Sequence, residues 1–232
     1  MRFRRQRLAA WGVHLYTATG GILGMFALFE AADAHYREAF LLLVVTMLID
    51  ATDGLMARRL NVKAVLPGFD GAMMDNVIDI LNFAWTPIFI IARLPVLPHP
   101  AWVVVPILGA LYAYGQSDMK TDEGFFIGFP TYWSIVALYL FWLRPDPIIA
   151  LALIVIPGIL SFVPTRYLYP SKGSVLWRSN WVFGTLWFML VIYLLFQEHP
   201  EPLLILLSLT YPAYYMTASF WVDFRLRRGL HV

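Results

Sequence analysis

About eight stretches of roughly twenty predominantly apolar residues follow one another along the chain, and this pattern constrains the fold more than any other feature. A helix needs roughly 20 apolar residues to cross the hydrocarbon core of a membrane. The stretches are approximately residues 10–31, 37–57, 71–92, 100–117, 126–143, 147–165, 176–196 and 202–223. Composition agrees, because hydrophobic residues make up 60% of the chain and charged residues only 14%. We therefore predict an all-α polytopic membrane protein with about eight transmembrane helices.

The basic residues indicate the orientation of these predicted spans. When eight spans are drawn, all of the 17 Lys and Arg residues except Arg37, Arg93 and Arg144 fall on the side of the N-terminus. Cytoplasmic loops carry an excess of Lys and Arg, so we expect both termini to be cytoplasmic. The Arg-rich stretch before about Leu8 is either a short amphipathic helix on the membrane surface or an orientation signal. The connections are short and rich in proline, so we expect residues 1–232 to form a single membrane domain.

Two features of the composition exclude whole classes of function. The chain has no cysteine, which excludes disulfides, thiolate zinc sites and cysteine nucleophiles. Its formal net charge is only +2, so nothing in the overall charge suggests a nucleic acid partner.

Four aspartates lie inside the second and third predicted spans, where ionisable groups are costly and usually functional. Asp50 and Asp53 are three residues apart and Asp75 and Asp79 are four apart, so each pair occupies one face of its helix. The two spans form an antiparallel hairpin around a loop centred near Ala64. Counted from that centre, Asp50 and Asp79 lie at nearly equal distances, as do Asp53 and Asp75. We therefore expect all four carboxylates to meet at one depth.

Facing carboxylates in a medium of low dielectric constant require compensating cations. Oxygen ligands suit Mg²⁺ or Mn²⁺, two ions would neutralise four charges, and the absence of histidine from the cluster argues against zinc. Small residues beside the carboxylates leave room for a ligand or a neighbouring helix; they are Gly54, Ala57, Gly71 and Ala72. Arg58 offers a fixed guanidinium fork for a phosphate. A cation- or proton-coupled transporter, which also uses buried carboxylates, remains an alternative.

The spacing of these residues resembles the signature of a known enzyme family. Asp50-x₂-Asp53-Gly54-x₂-Ala57-Arg58, followed by Gly71-x₃-Asp75-x₃-Asp79, is similar to the signature of the CDP-alcohol phosphotransferases. The connection 59–70 is longer than in most members and resembles that of the bacterial phosphatidylcholine synthase subgroup, which joins CDP-diacylglycerol to choline. Residues 13–18, 75–79 and 120–130 also resemble that subgroup, so the likeness covers about residues 11–135.

The resemblance implies roles for individual residues. It implies that Asp50, Asp53, Asp75 and Asp79 hold two divalent ions, Mg²⁺ or Mn²⁺, and that Asp79 is the catalytic base. It implies a CDP site lined by Thr17, Asp53, Gly54, Ala57, Arg58, Gly71 and Asp75. It also implies a homodimer in the bacterial cytoplasmic (inner) membrane, with the active site facing the cytoplasm. Two positions depart from the family pattern, because His14 and Gly20 stand where many members carry Asn and Arg.

Choline as acceptor would require a site for a quaternary ammonium group, which has no hydrogen-bond donor and is recognised by aromatic faces and carboxylates. The candidates for this site are Trp85, Tyr112, Asp118, Glu123 and Trp133. Other acceptors remain open, namely serine, inositol phosphate and glycerol phosphate. The acidic segment 118–123 argues against a phosphorylated acceptor.

Overall fold

The structure is a computed structural model that describes residues 2–117, 119–121, 123–169 and 175–230. These residues fall into two compact units. The first contains the chain up to Pro95 together with Trp133–Phe141, and the second contains Val96–Tyr132 and the residues from Trp142 onwards. The elements, in chain order, are α1 (Arg2–Ala32), α2 (Tyr36–Arg59), α3 (Val62–Val65), α4 (Gly71–Asp79), a π-helical segment (Ile80–Trp85), α5 (Thr86–Arg93), a 3₁₀ turn (Pro100–Val103), α6 (Val104–Gly115), β1 (Phe125–Ile127), α7 (Trp133–Leu143), α8 (Pro147–Leu160), β2 (Arg166–Leu168), α9 (Trp177–Phe196), α10 (Pro202–Ser208) and α11 (Thr210–Arg227).

Five helical stretches of the described residues are long and apolar enough to cross a membrane, and each corresponds to a predicted span. They are Arg4–Ala32, Tyr36–Arg59, Gly71–Arg93, Trp177–Phe196 and Pro202–Arg227. The other three predicted spans correspond to shorter apolar helices, Pro100–Gly115, Trp133–Leu143 and Pro147–Leu160. The prediction of an all-α, multi-pass membrane protein is therefore confirmed, with a single two-stranded sheet among the elements described.

The predicted span 126–143 starts too early. Its first residues form strand β1, and the helix α7 begins only at Trp133. Gly128, which adopts a positive φ of 78°, and Pro130 lie between the two elements and interrupt any helix. The apolar run was continuous, but its first part pairs with β2 instead of entering the span.

Helix α1 is one uninterrupted helix, so the N-terminal stretch does not form a separate surface helix. Its 31 residues extend about 46 Å at 1.5 Å per residue. This exceeds the roughly 30 Å thickness of the hydrocarbon core. The exposed Arg4, Arg5 and Arg7 lie on the first turns of the helix, where the excess length places them towards water.

The long connection between α2 and α4 is folded. It contains the short helix α3, and Val62 and Leu66 are buried against Ala10 and Val13 of α1. The additional residues of this connection thus form a small apolar core under α1, which fixes the point at which α4 begins.

The third span is a continuous helix whose middle is π-helical. Asp70 caps its first turn, since its Oδ1 accepts a hydrogen bond of 3.0 Å from the backbone N–H of Met73. The π-helical segment begins directly after Asp79. Such segments are rare and frequently occur at functional sites.

In the second unit, a short antiparallel ribbon packs on α11. Phe126 of β1 pairs with Tyr167 of β2. The Ser219 Oγ accepts a hydrogen bond of 3.2 Å from the backbone N–H of Leu168, and the Tyr215 hydroxyl donates to the carbonyl of Leu168 at 2.8 Å. The backbone N–H and the backbone carbonyl of Leu168 are therefore both hydrogen-bonded to side chains of α11.

Asp223 links the ribbon to the end of α11. It is buried, and its Oδ1 accepts a hydrogen bond of 3.1 Å from the backbone N–H of Arg166. Its Oδ2 accepts from Arg227 Nε at 2.6 Å, and Arg227 also donates to the carbonyl of Pro164 at 2.6 Å. Burial, with the charge of Asp223 as a second cause, raises the pKa of Tyr167 to about 12, so this phenol is neutral at physiological pH.

Replacing Asp223 with Asn should destabilise the protein. The substitution removes the charge that the guanidinium groups of Arg227 and Arg166 approach, at 2.6 Å and 3.6 Å. Hydrogen bonds to charged groups contribute about 1.5–3 kcal/mol each. We expect the free energy of unfolding to fall by about 1–3 kcal/mol, measured as a lower thermal unfolding midpoint in detergent. The control is Glu201→Gln, which removes an exposed charge with no side-chain cap bond. Equal midpoints for the two variants would contradict the assigned role of Asp223.

Candidate metal and nucleotide site

Three of the four aspartates form a compact group in the first unit. Asp50 lies on α2, and Asp75 and Asp79 lie one turn apart on α4. One carboxylate oxygen from each residue lies within 4.8 Å of the others. Oxygen ligands at about 2.1 Å from Mg²⁺ are themselves about 3–4 Å apart, so only a small contraction is needed to hold one ion. The all-oxygen donor set fits Mg²⁺ or Mn²⁺.

Exposure differs among the three carboxylates. Asp50 is exposed, Asp75 is half-buried and only 8% of Asp79 is exposed. The group is thus open on the side of α2 and closed on the side of Asp79. A ligand from solvent would therefore reach Asp50 and Asp75 first, and Asp79 is the least exposed of the three carboxylates.

Asp53 lies outside this group of three. It is buried on α2, and its Oδ2 accepts a hydrogen bond of 2.8 Å from the Thr17 hydroxyl of α1. Thr17 therefore orients Asp53 while leaving its second oxygen, Oδ1, to a ligand. The sequence argument placed all four carboxylates together; the structure brings three together and joins the fourth to α1.

Gly71 begins α4 against an imidazole ring. A β-carbon at Gly71 would lie only 2.5 Å from Cε1 of His14, so any larger residue would require the His14 ring or the helices to shift. His14 is 7% exposed and its ring centroid lies 4.5 Å from that of Phe69. Among the described residues no group hydrogen-bonds to its buried Nε2. His14, at one of the two positions that depart from the family pattern, thus determines how closely these helices approach.

Arg58 lies one turn after Gly54 at the C-terminal end of α2. A β-carbon at Gly54 would lie 3.3 Å from Arg58 Nη1, so the glycine makes room for the guanidinium group. Arg58 is exposed, and no ion pair is found for it within the part of the chain that the structure describes. Its donors are therefore directed to a ligand or to solvent. The half-buried Ala57 packs against the core of the connecting helix α3.

The candidates for an acceptor site are distributed over both units. Trp85 and Trp133 belong to the first unit, and Tyr112 and Glu123 belong to the second. Trp85 is half-buried and Trp133 is fully buried, whereas Glu123 is exposed. The ring of Tyr112 lies 4.7 Å from that of Phe162. Asp118 lies outside the described residues, and the role of all five in acceptor binding stays a prediction.

Sequence reasoning missed one polar residue of this region, Asn82, which lies on the π-helical segment. Only 1% of Asn82 is exposed, and its Nδ2 donates a hydrogen bond of 3.3 Å to the carbonyl of Gly20 on α1. Two sequence features could have indicated this contact. One is an amide three residues after Asp79 in an otherwise apolar run, and the other is the group of glycines at positions 20, 21 and 24 of α1.

The amino-acid sequence is similar to those of known proteins. Residues 14–163 match the family model for CDP-alcohol phosphatidyltransferase. The chain is 36% identical to a phosphatidylcholine synthase of Legionella pneumophila, over 93% of this chain and 89% of that protein. It is 33% identical to a phosphatidylcholine synthase of Pseudomonas aeruginosa, over 91% of each chain, and 28% identical to one of Borreliella burgdorferi, over 95% and 97%. The chain belongs to the CDP-alcohol phosphatidyltransferase family.

Proposed function

We propose that this protein is a phosphatidylcholine synthase that transfers the phosphatidyl group of CDP-diacylglycerol to choline, with phosphatidylcholine and CMP as products. The observation that carries the proposal is the convergence of Asp50, Asp75 and Asp79 at the positions of the family signature. Relatives of nearly full length that are named phosphatidylcholine synthases support choline as the acceptor.

The carboxylate group is proposed to hold divalent cations, Mg²⁺ or Mn²⁺. Asp50, Asp75 and Asp79 would hold one ion, and the Oδ1 of Asp53 would help to hold a second. When bound, the ions supply positive charge that stabilises the pyrophosphate and the departing CMP. The hydrogen bond from Thr17 keeps Asp53 in one rotamer, so this side chain loses less conformational entropy when a ligand binds.

The nucleotide is proposed to bind on the cytoplasmic side of the site, between the middle of α1, the C-terminal end of α2 and the start of α4. Thr17 lies midway along α1, Gly71 and Asp75 lie at the start of α4, and the last turns of α2 carry Asp53, Gly54, Ala57 and Arg58. Arg58 donates charge-assisted hydrogen bonds to the phosphate oxygens, which are stronger than bonds between neutral groups. The absence of side chains at Gly54 and Gly71 leaves room for the Arg58 guanidinium and the His14 ring, so these glycines shape the proposed site through their neighbours.

Asp79 is proposed to act as the general base. It accepts the proton of the choline hydroxyl, and the resulting oxygen attacks the phosphorus that carries diacylglycerol. A new phosphorus–oxygen bond forms as the bond from that phosphorus to the bridging oxygen breaks, and CMP leaves with the electron pair. The burial of Asp79 keeps water away from the proton that it receives.

The acceptor site is proposed to combine aromatic faces with carboxylates, because only these groups attract a quaternary ammonium. Trp85, Tyr112 and Trp133 supply aromatic rings, and Asp118 and Glu123 supply charge. Serine, inositol phosphate and glycerol phosphate are the competing acceptors. A transporter is disfavoured because the chain belongs to an enzyme family.

We further propose that the whole chain acts as one catalytic domain in the bacterial inner membrane, as a homodimer with both termini and the active site in the cytoplasm. The matched family region, 14–163, includes residues of both units. The exposed Arg4, Arg5 and Arg7 of α1 support a cytoplasmic N-terminus, and Arg225 at the end of α11 supports a cytoplasmic C-terminus.

An acceptor assay tests the proposed function directly. Purified protein in detergent with CDP-diacylglycerol and Mn²⁺ should release CMP when choline is added, and a chelator should abolish the release. Serine, inositol phosphate, glycerol 3-phosphate and buffer alone serve as the comparison samples. Release with one of these acceptors instead of choline would contradict the acceptor assignment. The absence of release with every acceptor would contradict the whole proposal.

Replacing Asp79 with Asn should abolish most of the turnover, because the amide cannot accept the choline proton. General-base catalysis contributes about 10²- to 10⁴-fold, so we expect a loss of that size in kcat. Choline-dependent CMP release and the thermal unfolding midpoint are the two measurements. The matched control is Asp33→Asn, an exposed carboxylate in the turn after α1, which should retain normal turnover. Asp79→Asn turnover within a factor of three of the control would exclude the role of base.

Replacing Arg58 with Lys should weaken the binding of CDP-diacylglycerol. Lysine keeps the charge but loses the planar fork that holds two phosphate oxygens. We expect the KM for CDP-diacylglycerol to rise by about tenfold, whereas the KM for choline should hardly change. Arg59→Lys, at the exposed neighbouring residue, is the control. Equal KM values for these two variants would show that Arg58 does not contact the nucleotide substrate.

A further inference from the structure

The third span carries a buried amide directly beside the carboxylate group. Asn82 lies three residues after Asp79 on the π-helical segment, and its Nδ2 donates to the Gly20 carbonyl at 3.3 Å. Neither the metal ligands nor the nucleotide contacts proposed above use this side chain. A buried amide with no function would be disfavoured, because its desolvation costs more than an apolar residue of the same size would.

The other end of the amide faces Gly24. A β-carbon at Gly24 would lie 1.8 Å from Asn82 Oδ1, which means that the Cα hydrogen of Gly24 points at this oxygen. No other hydrogen-bond partner of this Oδ1 is present among the described residues. A Cα–H···O contact is the weak interaction that this geometry provides. The amide therefore lies across one turn of α1, with Gly20 at one end and Gly24 at the other.

The π-helical segment brings Asn82 to this place. A π-helical turn inserts additional residues and rotates everything that follows relative to an ordinary α-helix. Asp79 is the last residue before the segment, so Asp75 and Asp79 keep the regular one-turn spacing that directs both to Asp50. Asn82 lies within the segment, so the rotation acts on it and directs its side chain to α1.

Two of the polar contacts of α1 lie one turn apart, and each goes to a different aspartate-bearing helix. Thr17 donates to Asp53 of α2, and Gly20 accepts from Asn82 of the third span. We infer that Asn82 is a positioning residue: its hydrogen bond to α1 fixes the depth and rotation of the helix that brings Asp75 and Asp79 to Asp50. This inference rests on one part of the proposed function, which is the binding of a divalent ion by the aspartates.

Close packing alone is the competing explanation. Ile78 lies 3.2 Å from the place that a β-carbon of Gly21 would occupy, so apolar contact also joins α1 to the third span. The test must therefore separate the amide bond from the filling of space. Leucine branches at the same carbon as asparagine, is somewhat larger and forms no hydrogen bond, so Asn82→Leu removes the bond while the space stays filled.

We expect Asn82→Leu to weaken metal binding. Residues that orient metal ligands typically change metal affinity by 10- to 100-fold, so the Mn²⁺ concentration at half-saturation should rise about tenfold. It is measured by Mn²⁺ electron paramagnetic resonance and by the Mn²⁺-induced rise of the unfolding midpoint, with choline turnover as a third measurement. The metal-free midpoint should shift by only a few degrees and the KM for choline by less than twofold.

Two further variants distinguish the hydrogen bond from packing. Gly24→Ala should displace Asn82 and reproduce the metal defect. The double variant Asn82→Ala/Gly24→Ala removes the clash without restoring the bond, so it should regain part of the metal-free stability and keep the weak Mn²⁺ binding. The matched control is Asn180→Leu, since Asn180 is also fully buried but lies on α9 and bonds to Tyr211. It should bind Mn²⁺ as the unmodified protein does.

Normal Mn²⁺ affinity in Asn82→Leu or in the double variant would overturn the positioning role. So would an equal loss in Asn180→Leu, because a general loss of folding would then explain the defect. A protein that binds Mn²⁺ normally but releases no CMP would overturn the proposed function alone, since Mn²⁺ binding is measured without turnover. A protein that binds no Mn²⁺ would overturn both.

Discussion

The need to gather carboxylates inside a membrane governs the first unit of this protein. One carboxylate oxygen from each of Asp50, Asp75 and Asp79 lies within 4.8 Å of the others, and neighbouring carboxylates repel one another when ionised. Such a group is stable only where cations or hydrogen-bond donors compensate it. Every further feature of the unit follows from holding two helices near enough for the group to form. The helices must approach closely, and their rotation must be fixed.

Close approach is achieved by glycines that face bulky polar side chains of the neighbouring helix. Gly71 of α4 meets the His14 ring, and Gly24 of α1 meets the Asn82 amide. Apolar packing provides little directional preference between membrane helices, because lipid tails are as apolar as the side chains that they replace. The polar groups at these points add the directional contacts that apolar packing lacks.

The sequence was sufficient to predict the elements that depend on local periodicity. Helical spacing along the chain placed Asp50, Asp75 and Asp79 on facing sides of a hairpin, because those spacings follow from regular helix geometry. It was insufficient where a residue depends on a distant partner. Strand β1 forms because β2 lies beside it, and nothing in the apolar run from Phe126 reveals that pairing. The π-helical segment likewise has no periodic signature, so the meeting of Asn82 with Gly20 was not predictable.

The two positions at which the chain departs from the family pattern are explained by contacts to the third span. His14 packs against Gly71, and the carbonyl of Gly20 accepts the amide of Asn82. A β-carbon at Gly20 would lie 3.5 Å from Ile49 and 3.7 Å from Ile78, which are ordinary contact distances, so side chains of both α2 and α4 pack against this point of α1. Gly20 thus lies at a point where three helices meet. Helix α1 supports the carboxylates at these positions, since Thr17 donates to Asp53 of α2 and the Gly20 carbonyl accepts from Asn82 of the third span.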